Sequence, residues 1–221
     1  VAEGKAARGL WAEAAEGFNR VMNTYTAGAF YADALGGRGT INYRLYLYDA
    51  AAADFERAFR EFPASPSAEQ AFYMRGMCRF WLDDKKGAVA ICKEFLQLYP
   101  GSIWREEVLF WLGEQELNSG DYHAAESNFM EFVESYPDTS IADEALLYAG
   151  MAAARQKEYL RAVELFTRLA RSYPGSRRLA HARFAQGEAL CELGDFPKAI
   201  LTFEEVINKF PDSEFADSSW A

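Results

Sequence analysis

The chain has 221 residues, of which half are hydrophobic and 15% aromatic, and this composition excludes a disordered polar polypeptide. No apolar stretch reaches the roughly 18–20 residues that a bilayer-spanning helix needs. The formal net charge of −10 argues against nucleic-acid binding, which requires a basic surface facing the phosphates. The acidic excess is local, because residues 101–150 contain eleven acidic side chains and one basic side chain.

An aromatic-proline pair recurs every 37 residues: Phe62-Pro63, Tyr99-Pro100, Tyr136-Pro137, Tyr173-Pro174 and Phe210-Pro211. Three further columns keep this interval. They are the glycines Gly39, Gly76, Gly113, Gly150 and Gly187, the alanines Ala14, Ala51, Ala88, Ala125, Ala162 and Ala199, and a phenylalanine four residues after each alanine, replaced once by Cys92. A period of this length predicts a stacked repeat protein, and such arrays build long binding surfaces.

Each copy is predicted to form two helices, because apolar residues recur at helical spacing on both sides of a central break. In chain order, we expect a partial copy over 1–26, repeats over about 31–63, 68–100, 105–137, 142–174 and 179–211, and the start of a further helix over 213–221. Residues 1–221 are thus predicted to form a single array of about five and a half repeats. Because the register is open at both ends, with Trp220 beginning another helix, we expect the parent protein to continue past Ala221.

The breaks within and between copies carry helix-end signals. In Gly120-Asp121 and Gly194-Asp195, glycine is predicted to end the first helix and aspartate to begin the second, with Pro197 in the first turn. The glycine and alanine columns are expected where neighbouring helix backbones approach closely. The predicted N-caps of the helices that follow each proline are Ser65, Ser102, Thr139, Ser176 and Ser213.

Two local features have competing explanations. Gly36-Gly37-Arg38-Gly39 is similar to a phosphate loop, but the repeat register places it inside a first helix, which we expect to be the least stable helix away from the termini. The three cysteines, including Cys191, do not form a disulfide framework. Cys92 is interpreted as a small core hydrophobe, and a Cys78–Cys92 bridge is the alternative.

Trp111-Leu112-Gly113, Ala125-x3-Phe129 and Pro137 resemble the tetratricopeptide repeat (TPR) pattern. The resemblance covers essentially the whole chain and implies an all-α, right-handed superhelical solenoid of antiparallel helix pairs. The turn sequences that begin at Tyr136-Pro137 and Phe210-Pro211 resemble those of bacterial envelope members, BamD-like and CpoB-like. This subtype implies a periplasmic or envelope adaptor, whereas composition leaves the localisation open.

In TPR proteins the first helices line a concave groove, and the resemblance places the partner-binding residues there. They are Tyr73, Met77, Trp81, Glu107, Phe110, Glu114, Asn118, Glu144, Leu147, Met151 and Arg155. Bulky apolar side chains beside methionine suit an extended or helical peptide. We expect Met77, Trp81 and Met151 to be exposed to the groove. For Tyr73 and Phe110, packing against the second helix is an equal alternative.

The acidic stretch also has two explanations. Glu107, Glu114 and Glu144 are expected to face the groove, where they would select a protein or peptide partner bearing Lys or Arg. A solvated charged face is the alternative, and Glu126, Glu131 and Glu134 are expected to face solvent on the second helix. The basic residues Arg171, Arg177, Arg178 and Arg183 are candidates to meet the acidic band of another copy in a weak homo-oligomer.

Enzyme signatures are absent from the sequence, which contains no phosphate-binding Gly-Lys-Ser/Thr loop, no His-Glu-x-x-His and no paired Cys-x-x-Cys. The two histidines, His123 and His181, fall in different repeats, so we expect no catalytic site, metal site or cofactor. The sequence predicts a non-catalytic protein–protein interaction scaffold. The alternatives are a structural spacer or self-association module of a larger protein, and a regulatory array attached to an enzyme outside this segment.

Overall fold

A computed structural model describes residues 2–219 of the chain, with side chains from residue 9 onward. Val1, Trp220 and Ala221 lie outside the described residues, and with them the end of the helix predicted over 213–221. The helices are α1 (Ala2–Thr24), α2 (Ala29–Arg44), α3 (Tyr48–Glu61), α4 (Ala68–Trp81), α5 (Lys85–Leu98), α6 (Arg105–Ser119), α7 (Tyr122–Ser135), α8 (Ala142–Arg155), α9 (Tyr159–Ser172), α10 (Leu179–Glu192), α11 (Phe196–Lys209) and α12 (Glu214–Ser218). Between residues 2 and 219 there is no β-strand.

The chain divides into two compact units, residues 1–105 and 106–221. In the first unit each helix packs on the next, from α1 to α5, around a core that includes Leu35, Phe55 and Cys78. In the second unit α7 to α11 pack in the same consecutive way, and α12 packs on α10 and α11. Phe110 of α6 contacts the rings of Phe129 and Phe132 on α7. Both units are therefore built from consecutive helix pairs, as the period predicts.

The predicted helix ends between paired helices are confirmed. The side chains of Asp84, Asp121 and Asp195 accept hydrogen bonds from the backbone N–H three residues later, at the N-termini of α5, α7 and α11. Gly120 and Gly194 adopt left-handed backbone conformations, with φ of 86° and 75°. The same column holds three non-glycine residues in that conformation, Tyr46, Asp83 and Lys157. The turn therefore imposes its geometry even where the side chain opposes it.

Replacing the exposed Lys157 by glycine is expected to raise the free energy of unfolding by up to about 1 kcal/mol, since its φ of 65° is one that only glycine adopts without strain. The reverse change, Gly194→Ala, is expected to lower it by about 1 kcal/mol. Urea unfolding of both variants measures these shifts. Lys157→Ala is the control, because it removes the charge and keeps the strain. Equal stabilities of the glycine and alanine variants at 157 would contradict the explanation.

The predicted N-caps after the prolines are wrong for four of the five residues. The N-caps of α4, α8 and α10 are Ser67, Ile141 and Arg178, and α6 begins at Arg105; only Ser213 immediately precedes its helix. In the other four copies an additional turn separates the proline from the helix, so the hydroxyl serves that turn instead. Ser176 accepts a hydrogen bond from the Arg178 N–H at 3.0 Å and donates to Asp143 of the preceding repeat at 2.6 Å.

The glycine column marks the close approach of a ring and not of a backbone, which corrects the sequence interpretation. A Cβ atom would lie 2.9 Å from Phe55 at Gly39, 2.7 Å from Phe129 at Gly113 and 2.5 Å from Phe166 at Gly150. Each ring belongs to the phenylalanine column of the same repeat. At Gly76 the nearest atoms are 3.1 Å and 3.3 Å away, on Ile91 and on Cys92, which replaces the phenylalanine. Glycine and phenylalanine columns therefore form one packing unit.

The glycine-rich segment is helical, as the register predicts, because Gly36 to Gly39 lie inside α2. The side chain of Arg38 links this helix to the helix before it and to the helix after it. Its Nε donates to Asp54 on α3 at 2.9 Å, and its Nη1 donates to Asn19 on α1 at 2.6 Å. The hydrogen bond with Asp54 raises the pKa of Arg38. The low stability expected for α2 stays a prediction.

Cys78 and Cys92 are free and buried, so the alternative of a bridge between them is wrong. Burial raises the pKa of each thiol to about 12. Since the thiolate is the reactive form, both side chains behave as the small core hydrophobes that the sequence indicates for Cys92.

Candidate functional site

The predicted groove residues of the first unit differ in accessibility. Tyr73 is buried, with the Trp104 ring stacked on it at 5.6 Å and the Phe95 ring 6.0 Å away. Met77 is only 7% exposed, so the exposure expected of it is wrong, because α4 packs between α3 and α5. Trp81 is exposed, as expected, and its indole N–H donates to the Tyr43 hydroxyl at 2.7 Å.

In the second unit, the predicted groove residues on α6 and α8 also divide. Phe110 is half-buried, with its ring 5.6 Å from Phe129 and 5.5 Å from Phe132, so packing against the second helix describes it. Leu147 is buried and Met151 is half-buried. The exposed members of the set are Glu107, Asn118 and Arg155. The buried members shape the surface, and the exposed ones are available to a partner.

Glu144, one of the three acids expected to recognise a basic partner, is already paired within the chain. Arg178 forms an ion pair with it, and the Tyr148 hydroxyl donates to it at 3.0 Å. Arg178 also lies 3.7 Å from Asp143. Glu114 is half-buried nearby, and its pKa is raised by burial and then by the charge of Glu144. Asp143 and Glu144 therefore hold α8 to the segment before α10 through Arg178.

On α7, Glu126 is paired in the same way, which corrects the expectation that it faces solvent, whereas Glu134 is exposed as expected. The side chain of Glu126 is 14% exposed and accepts hydrogen bonds from Arg161 at 3.0 Å and Gln156 at 2.9 Å. Glu134 lies 4.0 Å from Arg168. In the basic cluster, Arg178 is engaged as described and Arg183 lies 3.3 Å from Glu205, whereas Arg171 and Arg177 are exposed. The acidic excess is thus partly neutralised by the following repeat.

A cleft of about 310 Å³ opens between α8 and α10 in the second unit. Its lining combines a largely apolar floor with a charged rim and includes two predicted groove residues, Met151 and Arg155. The complete lining is Met151, Ala154, Arg155, Tyr159, Phe166, His181, Ala185, Glu188, Ala189 and Glu192. Helix α9 contributes Tyr159 at its N-terminus and Phe166, whose ring also fills the space above Gly150.

Burial shifts the pKa values of titrating groups in the cleft. It raises the pKa of Glu188 and lowers the pKa of His181, whose ring stacks on Phe215 at 4.6 Å. Desolvation, and after it the neighbouring Glu192, raise the pKa of Tyr159. Because Glu188 and Glu192 lie one turn apart on α10 and face Arg155 across the cleft, the rim presents two carboxylates and one guanidinium. A polypeptide segment with apolar and basic side chains fits this arrangement.

Glu188 and Glu192 occupy the columns of Met151 and Arg155 one repeat later, but they are not among the predicted groove residues. Applying the register one repeat further would have included them. Tyr159 and His181 were not predicted as groove residues. Tyr159 belongs to a second helix, and the contact of His181 with the preceding repeat was not expected. Among the described side chains, no group of three His, Cys, Asp or Glu residues is placed to hold a metal ion. No helix within the described part of the chain is long and apolar enough to cross a membrane.

Two protein-family models match the chain. The YfiO model, described as an outer membrane lipoprotein, matches residues 104–219, which is more than half of the sequence. A tetratricopeptide repeat model matches residues 70–102. A comparison with curated protein sequences finds no match.

Solved TPR structures share the fold. YrrB, described as a TPR protein with an unusual peptide-binding site, aligns with a TM-score of 0.69 and 19% identity over 93% of this chain and 98% of its own. The C-terminal part of a TPR protein from Cytophaga hutchinsonii aligns with a TM-score of 0.67 and 19% identity over 90% and 73%. MamA from Desulfovibrio magneticus RS-1 aligns with a TM-score of 0.61 and 16% identity over 83% and 97%. The fold class is therefore the all-α TPR solenoid, a fold typical of protein–protein interaction scaffolds.

Proposed function

Because this chain belongs to the YfiO family of outer membrane lipoproteins, we propose that it is a non-catalytic adaptor that binds a segment of a partner protein in a bacterial cell-envelope assembly. TPR scaffold families are generally non-enzymatic, and they act by presenting a surface to another polypeptide. Envelope localisation, a BamD-like or CpoB-like subtype and one continuous array over residues 1–221 belong to this proposal.

The observation that carries the proposal is the cleft between α8 and α10. Its floor contains Met151 and small alanines, which leave room for an inserted side chain, and methionine adapts to different shapes. The cleft lies between two first helices, α8 and α10, where the TPR resemblance led us to expect partner binding. The peptide-binding site of YrrB, a protein with the same fold, supports a peptide as the class of ligand.

The rim of the cleft supports a partner segment with a basic residue. Glu188 and Glu192 offer two carboxylates, while Glu144 is occupied by Arg178. A Lys or Arg of the partner would keep Glu188 ionised. Because the pKa of Glu188 is raised, acidification should protonate this residue first and weaken partner binding, since protonation removes the charge that attracts the partner.

We expect a photoreactive amino acid at position 155, on the cleft rim, to crosslink a discrete partner protein in the native host. The same label at position 204, which is exposed on α11, should not produce that adduct. The crosslinked segment, made as a synthetic peptide, is then titrated against the protein. Glu188→Lys should weaken its affinity at least tenfold, the usual effect of removing a strong contact, whereas Glu204→Lys makes the same charge change outside the cleft.

Identical adducts from positions 155 and 204, or equal peptide affinities of the two lysine variants, would contradict a binding site in the cleft. An assembly role without segment binding, as in a structural spacer, would give adducts only between copies of this chain. Repeating the peptide titration at lower pH separates the contribution of the apolar floor from that of the Glu188 charge. Apolar contacts persist on acidification, and the contribution of Glu188 is lost.

A further inference from the structure

The first unit carries an exposed aromatic surface that lies outside the cleft between α8 and α10. It consists of Tyr43 at the end of α2, Tyr46 and Leu47 in the following turn, Tyr48 at the start of α3, and Trp81 and Leu82 at the end of α4. We call these six residues the aromatic patch. Tyr46 is 68% exposed, Trp81 55%, Leu47 53% and Leu82 41%. These four large side chains face solvent, and ring contacts through Tyr48 join Tyr46 to Trp81. Contiguous apolar surface of this kind marks interaction sites.

The rings of the aromatic patch hold one another in place. Tyr48 and Trp81 are parallel, with centroids 5.8 Å apart and planes 10° apart. Tyr43 and Tyr46 meet Tyr48 edge-on at 5.4 Å and 6.2 Å. The hydrogen bond from Trp81 to Tyr43 fixes the indole from the other side. A ligand would therefore meet a preorganised surface, and little rotamer freedom would be lost on binding.

The size of the aromatic patch restricts what can occupy it. With roughly 150–250 Å² for a large aromatic side chain, the exposed fractions correspond to about 400 Å². A stable dimer buries roughly 800 Å² on each partner. A second copy of this chain seated here would thus bury about half of what a lasting interface needs. A short linear segment matches the area.

So small a contact leaves little surplus free energy for ordering a flexible ligand, which makes a rigid segment the favoured occupant. Polyproline II helices are already ordered, and aromatic-lined surfaces recognise them. Proline also lacks an N–H, so such a segment offers carbonyl acceptors and apolar rings. The polar side-chain atoms of the aromatic patch are three phenol hydroxyls, which can donate to such carbonyls, and the indole N–H of Trp81, which already donates to Tyr43. They include no carboxylate. We propose that the aromatic patch docks a proline-rich segment of a partner protein in the polyproline II conformation.

The test uses two labelled twelve-residue probes, (Pro-Pro-Leu)4 and the flexible (Gly-Ser-Leu)4, titrated against the full chain by fluorescence anisotropy. Saturable binding is expected for the proline probe and not for the flexible one. Tyr46→Ser and, independently, Trp81→Ala should each weaken the proline probe at least tenfold. The matched control is Leu160→Ser, which removes a side chain that is 69% exposed in the second unit. It should change the affinity less than twofold.

Circular dichroism of each variant confirms that the helices are retained, and Tyr46→Ser remains informative if Trp81→Ala loses structure. Absence of saturable binding by the proline probe, equal binding of the flexible probe, or indifference to Tyr46→Ser would overturn the proposal. Competition by maltohexaose would reassign the aromatic patch to a glycan. Met151→Asp in the cleft should leave this binding unchanged, so failure here is distinguishable from failure of the proposed adaptor function.

Discussion

Arg38→Leu is expected to lower the free energy of unfolding by about 3–5 kcal/mol, the usual cost of leaving one member of a buried ion pair without its partner. The carboxylate of Asp54 is the group affected, since the residue is only 4% exposed. After the substitution, the 3.1 Å hydrogen bond from Asn42 would remain, without a compensating positive charge. Urea unfolding followed by circular dichroism measures the loss.

The double variant Arg38→Leu/Asp54→Leu is the matched control. It copies residues that other repeats place in these columns, Leu112 and Leu165, both of which are buried there. Replacing a buried ion pair by apolar side chains is often neutral or stabilising. The double variant should therefore recover most of the stability that the single variant loses. If the two variants were equally unstable, packing around Arg38 would matter and the charge of Asp54 would not.

Gly150→Ala is expected to destabilise the second unit by about 1–3 kcal/mol, the range for overpacking a core contact. The added Cβ would lie 2.5 Å from Cε1 of the buried Phe166, whose ring also lines the cleft. The ring must move, so the substitution should also weaken binding of the crosslinked peptide. Urea unfolding and the peptide titration are the two measurements.

Gly76→Ala provides the comparison, because it makes the same change in the repeat whose phenylalanine is replaced by Cys92. The nearest atoms there are 3.1–3.5 Å from the added Cβ, so a small shift accommodates it. We expect a loss at least 1 kcal/mol smaller than at Gly150. Equal losses at the two glycines would show that helix backbone effects dominate and that the ring contact does not explain the glycine column.

The repeat period was sufficient to predict the helix pairs, because it reports contacts that every copy makes. Gly113 and Phe129, for example, are constrained together in each repeat, and their spacing fixes a helix hairpin. The serine N-caps failed for a related reason. Ser102 and Ser176 donate to Glu69 and Asp143 one repeat earlier, whereas Thr139 and Ser213 donate to the carbonyl three residues before them. A recurring hydroxyl therefore does not indicate which contact it makes.

The candidate site was less predictable, since its side chains depend on contacts that single copies make. The family columns identified Met151 and Arg155, which do line the cleft. The same columns could not show that Trp104 covers Tyr73 or that Arg178 engages Glu144, because both contacts come from the start of the next repeat. An acidic residue without a basic residue nearby in the sequence is therefore not necessarily free to bind a partner, because an arginine of the neighbouring repeat can pair with it.

The ion pairs that join α7 and α8 to the repeat that follows give the second unit a fixed order. Glu126, Glu134 and Glu144 each depend on an arginine about 34 residues later, Arg161, Arg168 and Arg178. The repeats have the same backbone fold, but their different ion pairs mean that one repeat cannot simply replace another. Moving or duplicating the acidic repeat would place its carboxylates against a neighbour without those arginines. Shuffling the repeats of this array would therefore leave Glu126 and Glu144 without the arginines that pair with them.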